Sequence, residues 1–277
     1  MRRITFTFAV VFLAVSALTV QAQEAGPASP SIPVANRTEA DCTGFIASPA
    51  VPRDVFVLGG ADDDFHSVVR QFVEGDSIFI SQHKEGDIAV GTEYSVVHPA
   101  HGLFRTMRYQ GERGDIRKLG TPYEDVAKVK VTHVTPAGTV AKVLFSCGAI
   151  VTGDTLVPFQ PRAIPEYTVS KPLDHFVPLD SNKQHGRITA SRNNFGFLGE
   201  GAVVYLNLGE SEGAKAGQRY RIYKLLPPHP TGSLTSQRTP PETIGEAVVF
   251  SVQSKSCVAM IVSSYREISA GDYVEAE

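Results

Sequence analysis

The feature that most constrains the fold of this 277-residue chain is an internal repeat. Residues 74–97 resemble residues 200–223, and the matching positions lie 126 residues apart: Gly75 and Gly201, Gly91 and Gly217, Tyr94 and Tyr220. Residues 126–156 resemble residues 244–274 without a gap, at a separation of 118 residues. Chance similarity between β sequences is the alternative. Two blocks in the same order, with glycines in register, favour duplication.

Both copies are built from short runs rich in β-branched and aromatic residues, with turn-forming residues between them. Polar and apolar residues alternate from Lys128 to Thr132, as in a strand with one solvated face. One short helix is predicted near Asp63–Phe72. Four to six such strands are most stable as a small barrel or a sandwich. We therefore expect an all-β protein with two related small β-barrel units in tandem.

The conspicuous glycines are assigned to tight turns, since glycine adopts positive φ at no steric cost. The predicted turn residues of the two copies are Gly75, Gly91, Gly153, Asp154, Gly201, Gly217, Gly271 and Asp272. The glycine-rich segment 209–217 could be mistaken for a phosphate-binding loop. A strand rather than a helix follows it, and Gly-Lys-Ser/Thr is missing, so a backbone turn is the better interpretation.

The N-terminus has the pattern of a Sec-type signal peptide. Arg2 and Arg3 precede an apolar run to Val20, and the small residues before Gln23 favour cleavage after Ala22. A retained membrane anchor is the alternative. No cysteine follows the cleavage point, which argues against a lipoprotein, and no later run is long enough to span a bilayer. We expect a periplasmic or outer-membrane-associated protein.

The expected organisation has five parts. They are a signal peptide at 1–22, a flexible tether at 23–37, a first β unit with an N-terminal extension at 38–160, a proline-rich linker at 161–184 and a second β-barrel unit at 185–277. Without Arg2 and Arg3, 24 basic residues remain against 29 acidic ones, a net charge of −5. The charge balance and the lack of a basic cluster make nucleic acid a poor candidate partner.

Three cysteines, Cys42, Cys147 and Cys257, leave one over if a disulfide forms. Export permits disulfides. We favour a bond between Cys42 and Cys147, because both lie in the first half and the bond would tie the N-terminal segment to it. Three buried thiols are the alternative.

The second copy resembles a module of secreted Gram-negative envelope proteins that often follows a LysM peptidoglycan-binding domain. It is similar to the C-terminal barrel of the flagellar T-ring-type outer-membrane proteins. The matching segments are GRITAS (186–191), GEGAVVYLNLGESEGAKAGQRYRIY (199–223), IGEAVVFSV (244–252) and VAMIVSSYREISAGDYVE (258–275). The resemblance implies an SH3-like barrel in the envelope and no catalytic residues. A LysM pattern itself is missing, because EYTVSKPLDHF (166–176) lacks the following Gly-Asp-Thr-Leu.

Residues that would indicate catalysis or a cofactor are scarce. His98 and His101 stand three apart with Pro99 between them, which favours a loop over a metal site. Asp62, Asp63 and Asp64 lack the acid-and-glycine alternation of a calcium loop. A Gly-x-Ser-x-Gly nucleophile elbow is also missing. We predict no catalytic, cofactor-binding or metal-binding residues.

The connection at 98–125 is locally basic within an acidic chain and is the predicted interaction loop. Its recognition residues would be Arg105, Arg108, Tyr109, Arg113, Arg117 and Lys118. A merely solvated hairpin is the alternative. The sequence thus favours a non-catalytic interaction or scaffold module that contacts another envelope protein. Peptidoglycan binding, with an aromatic platform of Tyr205, Tyr220 and Tyr223, is the first alternative, and an envelope hydrolase is the second.

Overall fold

The strand-forming runs build two closed barrels in the computed structural model, which describes residues 30–60, 71–81, 88–100, 106–168, 173–225 and 240–277. The elements of the first half are β1 (Ser31–Pro33), α1 (Arg37–Asp41), β2 (Phe45–Ala47), β3 (Val55–Gly60), β4 (Gln71–Phe72), β5 (Ser77–Ile80), β6 (Glu93–Pro99), α2 (Glu112–Leu119), β7 (Thr121–Thr135), β8 (Gly138–Ser146), β9 (Ile150–Val151) and β10 (Thr155–Pro158). Those of the second half are β11 (Glu166–Thr168), β12 (His185–Ser191), β13 (Val203–Leu206), a 3-10 helix (Glu210–Glu212), β14 (Arg219–Lys224), β15 (Glu242–Val252), β16 (Cys257–Ser264) and β17 (Tyr273–Ala276). Neither α-helix in these ranges has the length and apolarity needed to cross a bilayer.

The first barrel is a ring of six antiparallel strands in the order β3-β5-β8-β7-β6-β10, closed by the pairing of β10 with β3. The short strand β2 adds to the outside of this ring by pairing with the beginning of β7. The second barrel has the order β12-β13-β16-β15-β14-β17 and closes through β12 and β17. The prediction of an all-β protein with two small barrels in tandem is confirmed.

The two barrels share strand register as well as strand order. Val57 pairs with Ile80 in the first, and Ile188 pairs with Leu206 in the second. A shorter pairing likewise joins Phe72 to Ile150 in the first and Leu198 to Ile268 in the second. Ile80 and Leu206 are aligned by the repeat, and so are Ile150 and Ile268. The duplicated sequence therefore gives a duplicated fold.

Each barrel encloses an apolar core made by one side of its strands, as period-2 patterning requires. Aligned side chains fill aligned places: Tyr94 and Tyr220, Val96 and Ile222, Ala141 and Ala259, Ile150 and Ile268. A third apolar cluster lies between the barrels. It joins the outward side chains Ala190, Val203, Tyr205, Phe250, Val258 and Met260 of the second barrel to Ala35, Ala40, Ile46, Ala100, Ile116 and Leu119.

Polar contacts at the edge of this third cluster fix its geometry. The Tyr205 hydroxyl donates to the Thr43 carbonyl at 2.9 Å, and the Ser256 hydroxyl donates to the Ile46 carbonyl at 3.1 Å. Gly44 lies so close that a Cβ on it would stand 2.6 Å from the Tyr205 hydroxyl oxygen, and its φ is +70°. The N-terminal extension therefore packs on the second barrel while β2 pairs with the first.

The structure differs from the sequence expectations for the tether, for the linker and for the end of the predicted helix. Within the predicted tether, β1 pairs with β11, because Ile32 finds Tyr167 as a cross-strand partner. The predicted linker contains β11, and Arg221 donates to the carbonyls of Val177 and Pro178. Residues 63–70 of the predicted helix at Asp63–Phe72 lie outside the described ranges, and its last two residues form β4.

Cys42 and Cys147 form a disulfide with their Cα atoms 5.7 Å apart, which confirms the favoured pairing. Cys42 ends α1, and Cys147 directly follows β8. Cys257 is free and buried in the core of the second barrel. The bond therefore attaches the N-terminal extension covalently to the first barrel.

Candidate functional site

The predicted interaction loop is partly used inside the molecule. Arg105 lies outside the described residues. The Arg108 guanidinium donates to the Asn194 carbonyl and, at 3.3 Å, to Asn194 Oδ1 of the second barrel. Its backbone N–H donates to the Glu112 carboxylate at the start of α2. Arg108 therefore links the two barrels, a role that the sequence alone did not indicate.

Tyr109 makes a second link between the barrels. Its ring packs on Gly271, where a Cβ would come within 3.1 Å of the ring atoms. The Arg187 guanidinium lies 5.2 Å from the ring centroid, and the Tyr109 hydroxyl donates to Asp115 at 3.2 Å. Burial and the Asp115 carboxylate raise the pKa of the Tyr109 phenol above its usual range. This tyrosine is an intramolecular packing residue rather than an exposed recognition residue.

The remaining residues of the predicted loop lie on α2. Ile116 and Leu119 face the third cluster, and this packing leaves Arg113, Arg117 and Lys118 on the exposed side of the helix. Lys118 Nζ is 3.5 Å from Asp115 Oδ1. The first part of the predicted loop, with Arg108 and Tyr109, therefore joins the two barrels. Its second part, on α2, forms an exposed basic surface.

Three large apolar side chains are exposed beside this joint. Met107, Phe195 and Phe197 are 57%, 58% and 73% exposed. Met107 precedes Arg108, and the two phenylalanines flank Gly196, whose Cα faces the Arg108 guanidinium. We refer to Met107, Phe195 and Phe197 as the apolar tip.

The predicted turn residues form matched hydrogen bonds in the two barrels. All six glycines have positive φ: Gly75, Gly91, Gly153, Gly201, Gly217 and Gly271. Asp154 accepts the backbone N–H of Val151, and Asp272 accepts that of Ser269. Gly153 and Gly271 donate to the carbonyls of Val57 and Ile188. The two Gly-Asp pairs thus form matched turns directly before the closing strands β10 and β17, which is a structural role.

A basic side chain stands near the turn aspartate in both barrels. His98 Nδ1 lies 3.5 Å from Asp154 Oδ1, and its Nε2 lies 3.3 Å from Glu124 Oε2. The Asp154 carboxylate, and next the Glu124 carboxylate, raise the pKa of His98 to about 9. Lys224, the aligned residue, lies 3.7 Å from Asp272 in the second barrel.

These contacts place a carboxylate beside each ring nitrogen of His98, which is a structural arrangement. Within the described residues, no group of three or more His, Cys, Asp or Glu side chains is placed to hold a metal ion. His101 and the acidic run Asp62–Asp64 lie outside those residues. Their predicted status as non-ligands remains a prediction.

A groove of about 510 Å³ lies between the β1–β11 ribbon and the second barrel. One wall is formed by Ile32 and Pro33 on β1, Val34 directly after it, and Tyr167 on β11. Met260 and Val262 on β16 form the opposite wall, and Tyr265 lies beyond the end of that strand. We call this site the ribbon groove. Sequence reasoning missed it because residues 31–34 were assigned to a tether.

The ribbon groove is apolar along its walls and acidic at its rim. Glu200, on the turn before β13, lines the groove and is exposed, and its carboxylate accepts the Ser264 N–H at 3.4 Å. The Tyr265 hydroxyl donates to Glu246 at 2.7 Å. Burial, reinforced by the Glu246 carboxylate, raises the pKa of Tyr265. The groove therefore suits an apolar ligand that carries a cation near Glu200.

The aromatic platform expected for glycan binding is not formed. Tyr205 lies in the cluster between the barrels, Tyr220 lies inside the second barrel, and Tyr223 stacks on Tyr273 with the ring centroids 5.6 Å apart. All three are buried. Glycan-binding platforms need exposed aromatic faces, so these tyrosines cannot supply one.

A scan against protein-family models and a search of curated proteins find no match to this chain. The geometry of the ribbon groove, the apolar tip and the basic surface of α2 is therefore the basis for a functional proposal.

Proposed function

We propose that the protein is a non-catalytic scaffold of the bacterial cell envelope, which holds an extended segment of another envelope protein in the ribbon groove. The observation that carries the proposal is the groove itself. Its walls are apolar, and its rim carries the Glu200 carboxylate. A volume of about 510 Å³ falls within the range of about 300 to 1,000 Å³ typical of ligand sites.

The β1–β11 ribbon supports a peptide as the occupant. It is a two-stranded sheet, so each of its strands keeps one edge that no described strand covers. Exposed strand edges pair readily with an added extended chain, while adjacent pockets accept alternate side chains of that chain. Glu200 favours a segment with a basic residue, because the carboxylate and the cation attract each other.

Two further observations support an envelope location. The first 22 residues have signal-peptide architecture. The Cys42–Cys147 disulfide is compatible with an oxidising compartment. An extracytoplasmic scaffold with internally tied barrels fits both.

The proposal is tested by crosslinking from the groove in the native host. A photoreactive residue at Ile32, which is 47% exposed, should capture one protein, and mass spectrometry then locates the bound segment. The same residue at Val90, 63% exposed on the first barrel, is the control and should not capture it. A synthetic peptide of that segment should bind the purified protein about tenfold or more weakly after Ile32→Asp than after Val90→Asp.

Peptidoglycan binding is the competing outcome. If the protein sediments with purified sacculi and Ile32 captures no protein, the scaffold proposal is wrong and the glycan alternative is favoured. Glu200→Gln and the matched exposed variant Glu210→Gln separate specific from general charge effects on peptide binding. Only the change at Glu200 should weaken it.

A further inference from the structure

The apolar tip is the most exposed group of neighbouring large apolar side chains in the described structure. Met107 lies on the segment before α2, whereas Phe195 and Phe197 lie on the loop after β12. The contacts of Arg108 with Asn194 hold these two segments together. The Asn194 side-chain amide also donates to the Thr106 carbonyl at 3.5 Å. The tip is therefore a built feature in which both barrels take part.

The surface next to the tip is basic. Residues 106–119 carry Arg108, Arg113, Arg117 and Lys118 against two acidic residues, Glu112 and Asp115. Glu112 is buried and accepts the Arg108 N–H, and Asp115 accepts the Tyr109 hydroxyl. Arg113 and Arg117 lie one turn apart on the exposed side of α2. Arg192 adds a positive charge on the loop that carries Phe195 and Phe197.

We propose that the apolar tip and the exposed arginines of α2 form a membrane-docking surface, which places Met107, Phe195 and Phe197 among the headgroups of an anionic bilayer. Interfacial binding combines apolar side chains that enter the headgroup boundary with cations that meet anionic lipids. The tip supplies the first, and Arg108, Arg113 and Arg117 supply the second. The net charge of the whole chain is −3, so attraction to an anionic bilayer has to come from a local basic surface such as the one beside the tip.

A bilayer fits the shape of this surface better than a folded protein does. The three side chains project from two loops, and each is more than half exposed. Protein hot spots are usually side chains seated in well-packed pockets within a broad contact area. A fluid interface accepts separate projecting side chains without a preformed pocket.

Vesicle binding tests the proposal directly. Every described contact lies within residues 30–277, so a chain that begins at Gln23 keeps all of them and lacks the apolar N-terminal run. This protein should sediment with vesicles of equal parts phosphatidylglycerol and phosphatidylethanolamine, and not with phosphatidylcholine vesicles. The double variant Phe195→Ser/Phe197→Ser should bind about tenfold or more weakly. Phe176→Ser, at a phenylalanine that is 57% exposed elsewhere, should bind as the parent protein does.

The arginines are tested by the salt dependence. Arg113→Gln/Arg117→Gln should weaken binding to anionic vesicles and flatten its decrease as salt rises to about 0.5 M. Circular dichroism and the urea midpoint show whether each variant is folded. Equal binding of both vesicle types, or an unchanged salt dependence in the arginine variant, would overturn the proposal.

A fluorescent reporter shows which side chains enter the bilayer. The chain contains no tryptophan, so Phe197→Trp provides a single indole at the tip. Its emission should shift to the blue with anionic vesicles and be quenched by brominated lipid, whereas Phe176→Trp should show neither effect. If the indole of the Phe197→Trp variant shows no shift, or both reporters respond equally, the tip does not insert. Capture of a protein from Phe197 without vesicle binding would make the tip a protein-docking surface and contradict the proposal.

Discussion

Asp125 joins three separate parts of the first unit at the scale of single residues. Its carboxylate accepts the Gly44 N–H at 2.7 Å and both terminal nitrogens of Arg162, at 2.5 and 3.0 Å. Arg162 also donates to Thr43 Oγ1 at 2.9 Å. Asp125 is buried, so its charge depends on these donors. The segment after β10 is thereby fixed to the end of α1.

Arg162→Met should destabilise the protein by about 3 kcal/mol, because it leaves the buried Asp125 carboxylate without its cation. Urea unfolding followed by circular dichroism measures the change. Lys118→Met is the control, since Lys118 is exposed and its pairing with Asp115 is solvated. That variant should lose less than about 1 kcal/mol. Equal losses of stability in the two variants would show that the buried Asp125 carboxylate does not depend on the Arg162 cation.

His98 should give the protein a contribution to stability that depends on pH. Its pKa in the folded protein is raised to about 9 from an ordinary value of 6.5 by Asp154 and Glu124. A raised pKa stabilises the fold fully below pH 6.5, and this stabilisation is lost as the pH rises through about 9. The unfolding free energies of the parent protein and of His98→Gln should therefore differ most at about pH 6 and converge above about pH 9. NMR titration of the imidazole checks the pKa itself.

At the scale of elements, the two copies differ in which outer surface is covered. Val248 and Met260 are cross-strand partners and both are buried, and Met260 packs in the cluster that the second barrel forms with the N-terminal extension. The aligned residues of the first barrel are Lys130 and Lys142, which are also cross-strand partners and are exposed. Two lysines opposite each other repel and need solvent. Charge pattern therefore decides which barrel surface receives the extension.

The matched variants Met260→Lys and Lys142→Met test this assignment. Met260→Lys buries an unpaired charge in the cluster between the barrels and should cost about 3 kcal/mol or more. Lys142→Met changes an exposed position and should leave the urea midpoint nearly unchanged. A comparable loss from both changes would contradict the assignment of Met260 to a covered surface and of Lys142 to an exposed one.

The sequence predicted the barrels well because both copies carry the same strand runs and the same glycine turns. It also predicted the disulfide, although it left buried thiols as an alternative. Helix α2 was missed because Gly114 weakens its helical propensity and its apolar side consists of little more than Ile116 and Leu119. The cluster between the barrels was missed for a different reason. It combines residues from distant segments, although the replacement of Lys142 by Met260 between the copies was a usable signal.

At the scale of the whole molecule, the three apolar clusters make the barrels interdependent. The second barrel presents Val203, Phe250 and Met260 to the extension rather than to water. A barrel cut out of the chain would expose this surface, and exposed apolar patches drive association. The intact protein should therefore unfold in one cooperative transition.

The isolated segment 173–277 should self-associate, as measured by analytical ultracentrifugation. The triple variant Val203→Ser/Phe250→Thr/Met260→Lys gives this surface the residues that the first barrel has at the aligned positions, and it should stay monomeric. The same three changes in the full chain should separate the barrels and increase the radius of gyration seen by small-angle scattering. A monomeric unaltered segment would contradict the prediction.

The docking of the extension on the second barrel also has a consequence for the order of folding. The Ile46 carbonyl accepts its hydrogen bond from Ser256, 210 residues further along the chain. Contacts of such long range form late, because the intervening chain must first close a large loop. Ile46 is synthesised early, but the apolar residues around it are covered only once β16, the last strand but one, has been made. The nascent chain therefore exposes an apolar N-terminal segment for most of its synthesis. The yield of folded protein should depend on holdase chaperones that cover this segment.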